Sequence, residues 1–200
     1  MPFTGKELGD KILNEQGLKN VSINRIKKID HYNPIDKKIN ISDDKLNRKS
    51  ITSISVVVHE IGHAMQDRDN YKPLKLRQAL IEKTMIFQRI GSFLLIIGLP
   101  SIFAFTKSPF ITFIAALVIM GCLTTNVLIH IITLPVEFDA SFKRALPILS
   151  KYVPRENMRQ CKSVLRAAAL TYLAQSIVSI FRLKVILVSL LSILKSVIKR

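Results

Sequence analysis

The sequence predicts a mainly helical α+β protein, in which a small antiparallel sheet leads into a motif helix and a transmembrane helical hairpin interrupts the folded domain. Three observations carry this prediction. The run His59-Glu60-Ile61-Gly62-His63 has a spacing that is useful only on a helix. Short stretches before it alternate apolar and polar residues, the period of a half-buried strand. After it come two adjacent apolar runs, each long enough to cross a bilayer.

Composition narrows the class further. Two hundred residues suffice for one small domain plus membrane segments. The chain is 48% hydrophobic with a mean hydropathy of +0.28, yet it carries a formal charge of +16 and a pI near 10.1. Soluble globules rarely combine these values, whereas apolar stretches separated by basic ones suit a bacterial-type integral membrane protein with its basic parts in the cytoplasm. Such a charge also suits a nucleic-acid binder. No nucleic acid is expected here, because the apolar runs are too long and no basic stripe interleaves with aromatics. Cys122 and Cys161 form no C-x-x-C, so neither a thiolate zinc site nor a disulfide framework is indicated. Met1 to Glu7 hold no apolar core, and no cleaved signal peptide is expected.

The elements follow in order. Thr4-Gly5-Lys6-Glu7 is a capping box, and Leu8, Ile12 and Leu13 recur at helical spacing until Gly17, which predicts a short amphipathic helix. Between Leu18 and Ser42, alternation at Val21, Ile23, Ile39 and Ile41, with turn residues at Asn33-Pro34 and Asp36 to Lys38, predicts two or three strands of an antiparallel sheet. Asp43 to Lys49 reads as a polar loop, with the motif helix starting near Ser50 to Ser53. Asp67 to Pro73 is a second loop, followed by a basic helical stretch through Arg77, Glu82 and Lys83. Met85 to Phe105 is apolar except for Arg89, which can snorkel to an interface. Thr106 to Pro109 is a turn, and Phe110 to Leu134 is a second span without formal charge, with His130 near its end. A helix from Val136, punctuated by Pro147 and Pro154, leads to an amphipathic helix over Glu156 to Tyr172 and an apolar stretch to Ile198 broken by Arg182 and Lys184. The expected organisation is thus residues 1–84 and 135–180 as two parts of one domain, 85–134 as the hairpin, and 181–200 as an apolar and basic tail that is a candidate third membrane segment.

On a helix, His59 and His63 stand at i and i+4, so both imidazoles leave one face and can reach one metal ion. Zinc takes neutral imidazole nitrogens and, at catalytic sites, typically three protein ligands plus a water. Glu60 follows the first histidine directly, where its carboxylate can take a proton from that water without occupying a coordination position. The flanks Val56 to Val58, Ile61, Ala64 and Met65 are apolar, so Glu60 is buried and needs a partner. Gly62 is a weak helix residue that makes sense where another backbone comes close.

A third ligand must come from the acidic residues downstream: Asp67, Asp69, Glu82, Glu137, Asp139 and Glu156. Asp67 and Asp69 lie too near the motif helix to fold back. Glu137 and Asp139 stand out at an apolar helix start beyond the hairpin, although a helix N-terminus also attracts carboxylates there. Two spans return the chain to the side it left, so residues before and after the hairpin can meet. Lys75, Arg77, Lys83 and Arg89 flank one end of the hairpin and Lys143, Arg144, Lys151 and Arg155 the other, against Lys107 alone at its tip. This charge asymmetry predicts a multi-pass cell-membrane protein whose metal site faces the cytoplasm.

Asp30-His31-Tyr32-Asn33-Pro34, His59 to Gln66, Leu134-Pro135-Val136-Glu137-Phe138-Asp139-Ala140-Ser141 and Ala167 to Tyr172 together resemble the bacterial family of membrane-bound putative neutral zinc metallopeptidases, in the same order over nearly the whole chain. The resemblance implies a zincin-like domain and a gluzincin-like site with Zn2+ on His59, His63 and Glu137 and Glu60 as general base. Members usually begin with an additional membrane segment, whereas this sequence starts at the capping-box helix. A looser similarity links the chain to membrane peptidases of the CAAX-processing and heat-shock type, in which an aspartate follows the ligand glutamate by four residues. Ser141 holds that position here, and Asp139, two residues on, lies on a different helical face.

The expected activity is that of a membrane-embedded zinc-dependent endopeptidase hydrolysing peptide or membrane-protein substrates with a zinc-activated water at the membrane–cytoplasm interface, in contact with membrane lipid. A non-proteolytic zinc-binding scaffold is the alternative, and a membrane-disrupting basic protein would leave the metal motif unexplained. His31, Tyr32 and Tyr172 are candidates for stabilising an oxyanion, and the strand around Ile39 to Ser42 for pairing with an extended substrate.

Overall fold

The computed structural model describes residues 1–27 and 29–198. It is mainly helical, with a three-stranded sheet and two compact units. The first unit comprises residues 1–75 and 133–171, the second residues 76–132 and 172–200.

In the first unit, helix α1 (Gly5–Glu15) opens on the predicted capping box. The Thr4 Oγ1 accepts from the Glu7 amide at 3.2 Å, and the Glu7 carboxylate accepts from the Thr4 amide at 2.8 Å. Gly17 follows with φ +68°, a left-handed conformation that suits glycine at a helix end. Strands β1 (Ser22–Ile26), β2 (His31–Asn33) and β3 (Lys38–Ser42) come next. The Asn33 side chain caps the β2–β3 turn by accepting from the amides of Ile35 and Asp36.

The sheet is mixed, not antiparallel. Its order is β1-β3-β2, with β3 parallel to β1 and antiparallel to β2. Two reversals of direction leave β3 running as β1 does, so the ladder becomes parallel once β1 pairs with β3 instead of β2. That choice follows hydrophobicity. β3 contributes the fully buried Ile39 and Ile41, with Ile23 of β1 opposite Ile39, whereas β2 offers no aliphatic side chain. As the central strand, β3 has both edges paired over Lys38–Asn40, so within the stretch expected to dock an extended substrate Ile39 and Asn40 have no free edge.

Residues Asp43–Leu46, expected as loop, form a short helix α2. Helix α3 (Ile51–Arg68) starts where Ser50 accepts from the Ser53 amide at 3.1 Å, and it carries the motif. Three consecutive valines favour a strand locally, but Val57 and Val58 are fully buried among Leu8, Ile12, Ile54 and Ile61, and packing decides the outcome. The chain returns to this unit at Thr133, on helix α6 (Pro109–Phe138). It continues through a π-helical segment Asp139–Ala145 into α7 (Leu146–Tyr152), a 3-10 turn Arg155–Asn157 and helix α8 (Met158–Ile198). Ala145, Leu149, Cys161 and Leu165 complete the core.

The second unit contains most of helix α4 (Lys72–Phe93), a π turn Leu94–Gly98, α5 (Leu99–Thr106) and the greater part of α6 and α8. Lys107, with φ 50°, makes the predicted turn. Three helical runs, Lys72–Thr106, Phe110–Tyr152 and Arg155–Val188, are long and apolar enough to cross a membrane, and their most apolar windows are only 6%, 24% and 17% buried. The stretch expected as a separate tail is the continuation of α8, a single helix from Met158 to Ile198, and residues 199–200 lie outside the described residues. A Cβ at Gly91 would meet Cys122 Cβ at 2.7 Å, so glycine lets α4 and α6 approach closely.

Candidate metal centre

Helical spacing turns His59 and His63 of α3 to one face, with their rings edge-on at 4.8 Å between centroids and 81° between planes. Glu137, near the end of α6, completes the cluster. Its Oε2 lies 3.2 Å from His59 Nε2 and 3.5 Å from His63 Nε2, and the three donor atoms fall within 4.8 Å of one another. Tetrahedral ligands at zinc bond lengths stand roughly 3.3 Å apart, so the two histidine–glutamate separations suit a single zinc ion. Two imidazoles and a carboxylate are also a donor set of catalytic zinc. All three residues are buried.

Local structure makes this meeting possible. A Cβ at Gly62 would lie 2.7 Å from the Ala140 carbonyl oxygen, so only a glycine allows α3 and the π-helical segment to come so close. The widened turn follows directly on the helix that carries Glu137, as π segments at functional sites often do.

Each imidazole is held through its other nitrogen. Ser141 Oγ lies 3.1 Å from His59 Nδ1, and Gln66 Oε1 lies 3.0 Å from His63 Nδ1. Both Nε2 atoms are thereby directed at Glu137. Gln66 Nε2 donates in turn to the Val136 carbonyl and to Asp139 Oδ2. Burial works against a charged His63, but the nearby carboxylates of Glu137 and Glu60 and the Gln66 oxygen prevail, so its pKa is raised. Glu60 is buried beside the cluster without belonging to the donor set.

Asp139 contributes to the network and not to the donor set: it accepts from Gln66 and from Arg144 Nε at 2.7 Å. Tyr32 donates to Asp67 at 2.6 Å, and His31 is exposed, bonded to the Ile29 carbonyl and Asn40. Tyr172 and His130 belong to the second unit, with ring centroids 6.4 Å apart, and Tyr172 also lies against Arg77. Sequence reasoning missed Gln66 and gave Ser141 no role. Both were findable, since Gln66 follows His63 by three residues and Ser141 follows Glu137 by four, each on the face of its neighbour.

Residues 1–191 match the sequence model of the family described as putative neutral zinc metallopeptidase. The chain is also 32% identical over 187 residues to the "Putative membrane protease YugP" of Bacillus subtilis (strain 168), a match covering 90% of this chain and 77% of that protein. No solved structure matches.

Proposed function

Because this chain belongs to the putative neutral zinc metallopeptidase family, whose cofactor is zinc, we propose that it is a membrane-embedded endopeptidase of the gluzincin kind, with a zincin-like domain built from residues 1–84 and 135–180. The convergence of His59 Nε2, His63 Nε2 and Glu137 Oε2 carries this reading. These three side chains would hold the zinc, which would supply Lewis acidity toward a scissile carbonyl and lower the pKa of water toward about 7.

The chain's own groups do the rest. Glu60, one residue from His59 on the same helix, takes the proton of the attacking water and delivers it to the leaving amine. The Gln66 amide oxygen accepts from His63 Nδ1, and Ser141 holds the His59 ring through its Nδ1, so that both Nε2 atoms stay turned toward Glu137. Burial of the cluster keeps bulk water from competing with these interactions.

Membrane association fits both the relative's description and the three apolar helical runs. We read the protein as multi-pass in the cell membrane, with residues on both sides of the hairpin in the cytoplasm, because basic residues crowd both ends of that hairpin and Lys107 alone marks its tip. Substrates are then peptides or membrane proteins cut near the inner leaflet, since Glu137 follows an apolar run on the same uninterrupted helix.

In detergent-purified protein, Glu60→Gln should retain zinc while cleavage of a reporter polypeptide falls by about 10²–10⁴-fold. Full turnover by that variant would refute the assigned base. A wild type that holds zinc but cuts no substrate would favour a binding role instead. Reporter fusions after Asn70 and Ser150 should both lie in the cytoplasm, and opposite compartments for the two would overturn the topology.

A further inference from the structure

We propose that Gln66 is a positioning residue for the metal ligand His63, and that Asp139 acts on the site only through Gln66. The proposal rests on the reading of His59, His63 and Glu137 as the metal site. Gln66 is fully buried, one turn beyond His63 on α3. Its Nε2 lies 2.7 Å from the Val136 carbonyl oxygen and 2.9 Å from Asp139 Oδ2. A carbonyl oxygen and a carboxylate only accept, so the atom facing them must be the amide NH2, and the atom facing His63 must be the amide oxygen.

That assignment determines the histidine. An oxygen 3.0 Å from His63 Nδ1 can only accept, so Nδ1 carries the hydrogen, and in the neutral ring that binds a metal Nε2, turned toward Glu137 at 3.5 Å, presents its lone pair. A flipped amide would turn NH2 toward Nδ1 and favour the wrong tautomer. The Val136 carbonyl and Asp139 together remove this freedom. Asp139 is itself clamped, because Arg144 donates from Nε to Asp139 at 2.7 Å and from Nη1 to Asp69 at 2.6 Å. The ordered path is Asp69, Arg144, Asp139, Gln66, His63, and it runs from the exposed end of α3 to the buried metal ligand.

A purely structural bond between α3 and the π-helical segment would use the same atoms, so the test needs a readout that such a bond would not move. We would measure the zinc dissociation constant by chelator competition, the visible spectrum of the cobalt-substituted protein and the melting temperature. The proteins are the full detergent-solubilised chain as wild type, Gln66→Leu, Asp139→Asn and the double variant. Gln66→Leu should weaken zinc binding by about 10- to 100-fold and alter the cobalt spectrum. Asp139→Asn, which keeps an acceptor for Gln66 but turns an amide toward Arg144, should weaken binding less. The double variant should bind zinc no more weakly than Gln66→Leu alone, because the Asp139 carboxylate is bonded to the site through Gln66. Lower melting temperatures with unchanged zinc affinity, or losses that add in the double variant, would overturn the relay while leaving the metal site intact. Absence of zinc from the wild type would overturn the metal-site reading itself, and the relay with it.

Discussion

The two units of this chain differ in where they place most of their large apolar side chains. In residues 1–75 and 133–171, Ile39, Ile41, Val57, Val58, Ile61 and Leu149 are fully buried. In residues 76–132 and 172–200, Ile96, Phe105 and Phe110 are 72%, 89% and 71% exposed. Polar groups reverse the pattern. The first unit buries His59, His63, Gln66, Glu137, Asp139 and Ser141 and links them to one another across three segments of chain. In the second unit the hydroxyls of Ser101, Thr106, Thr112 and Thr124 turn back onto carbonyls of their own helices, four residues earlier. One unit is folded against water, with its polar chemistry enclosed. The exposed apolar side chains and self-bonded hydroxyls of the other suit surroundings that offer few hydrogen bonds.

The largest expected contrast is in aliphatic truncation. Ile61→Ala opens a cavity in the first unit and should cost about 2–5 kcal/mol. Ile96→Ala, at an exposed position, should stay within about 0.5 kcal/mol. Thermal unfolding of both variants in one detergent checks this. Equal losses would mean that the exposed band of the second unit is a buried interface in the purified protein.

Introducing a charge should make the exposed position of the second unit costly in its turn. Ile96→Lys places an ammonium in the middle of a candidate span and should disfavour insertion by about 2.5–3.5 kcal/mol. A glycosylation-based insertion assay reads this directly. An unaffected span would argue that Lys72–Thr106 does not cross the bilayer.

Glycines sharpen the comparison at smaller magnitude. Gly62→Ala must displace the Ala140 backbone and should cost about 1–3 kcal/mol, along with much of the zinc. Gly121→Ala has open space around its new methyl and should be neutral or slightly stabilising. Zinc content and melting temperature of the two variants separate these outcomes.

How much of this was legible beforehand depended on the range of the interaction involved. The capping box at Thr4, the motif helix and the αL turn at Lys107 are local, and the sequence displays each within a few residues. The histidine pair needed only helical periodicity. Glu137 needed in addition the parity of two membrane crossings, or a resemblance, because more than seventy positions separate it from His63 in the chain. Strand order was not legible, since nothing local says that β1 will prefer the buried isoleucines of β3 to the polar β2. Asp139 was judged by its angle to Glu137 on an ideal helix, and the π-helical segment that begins at Asp139 departs from that geometry. The Gln66 link escaped notice for a related reason: its partners become visible only once α3 and the π-helical segment are packed through Gly62.

The smallest effect lies at the start of α1, where the first unit satisfies polar groups locally, as the hydroxyls of Ser101, Thr106, Thr112 and Thr124 do in the second. Thr4→Ala removes the side-chain half of the capping box and should destabilise the first unit by about 1 kcal/mol. The carboxylate of Glu7 is held below its ordinary pKa first by the Thr4 backbone amide and then by the Thr4 hydroxyl. A carboxyl group whose folded pKa is depressed contributes stability above its unfolded pKa and loses that contribution as pH falls through the folded value. The cap should therefore be intact at neutral pH and weaken only in acid. In Thr4→Ala the backbone amide remains and the hydroxyl does not, so the Glu7 pKa should move part of the way back toward the ordinary carboxylate range. An NMR titration of the Glu7 carboxyl carbon in both proteins follows this. An unchanged pKa would show that the backbone amide alone holds the charge, and the cost of the substitution would then be independent of pH.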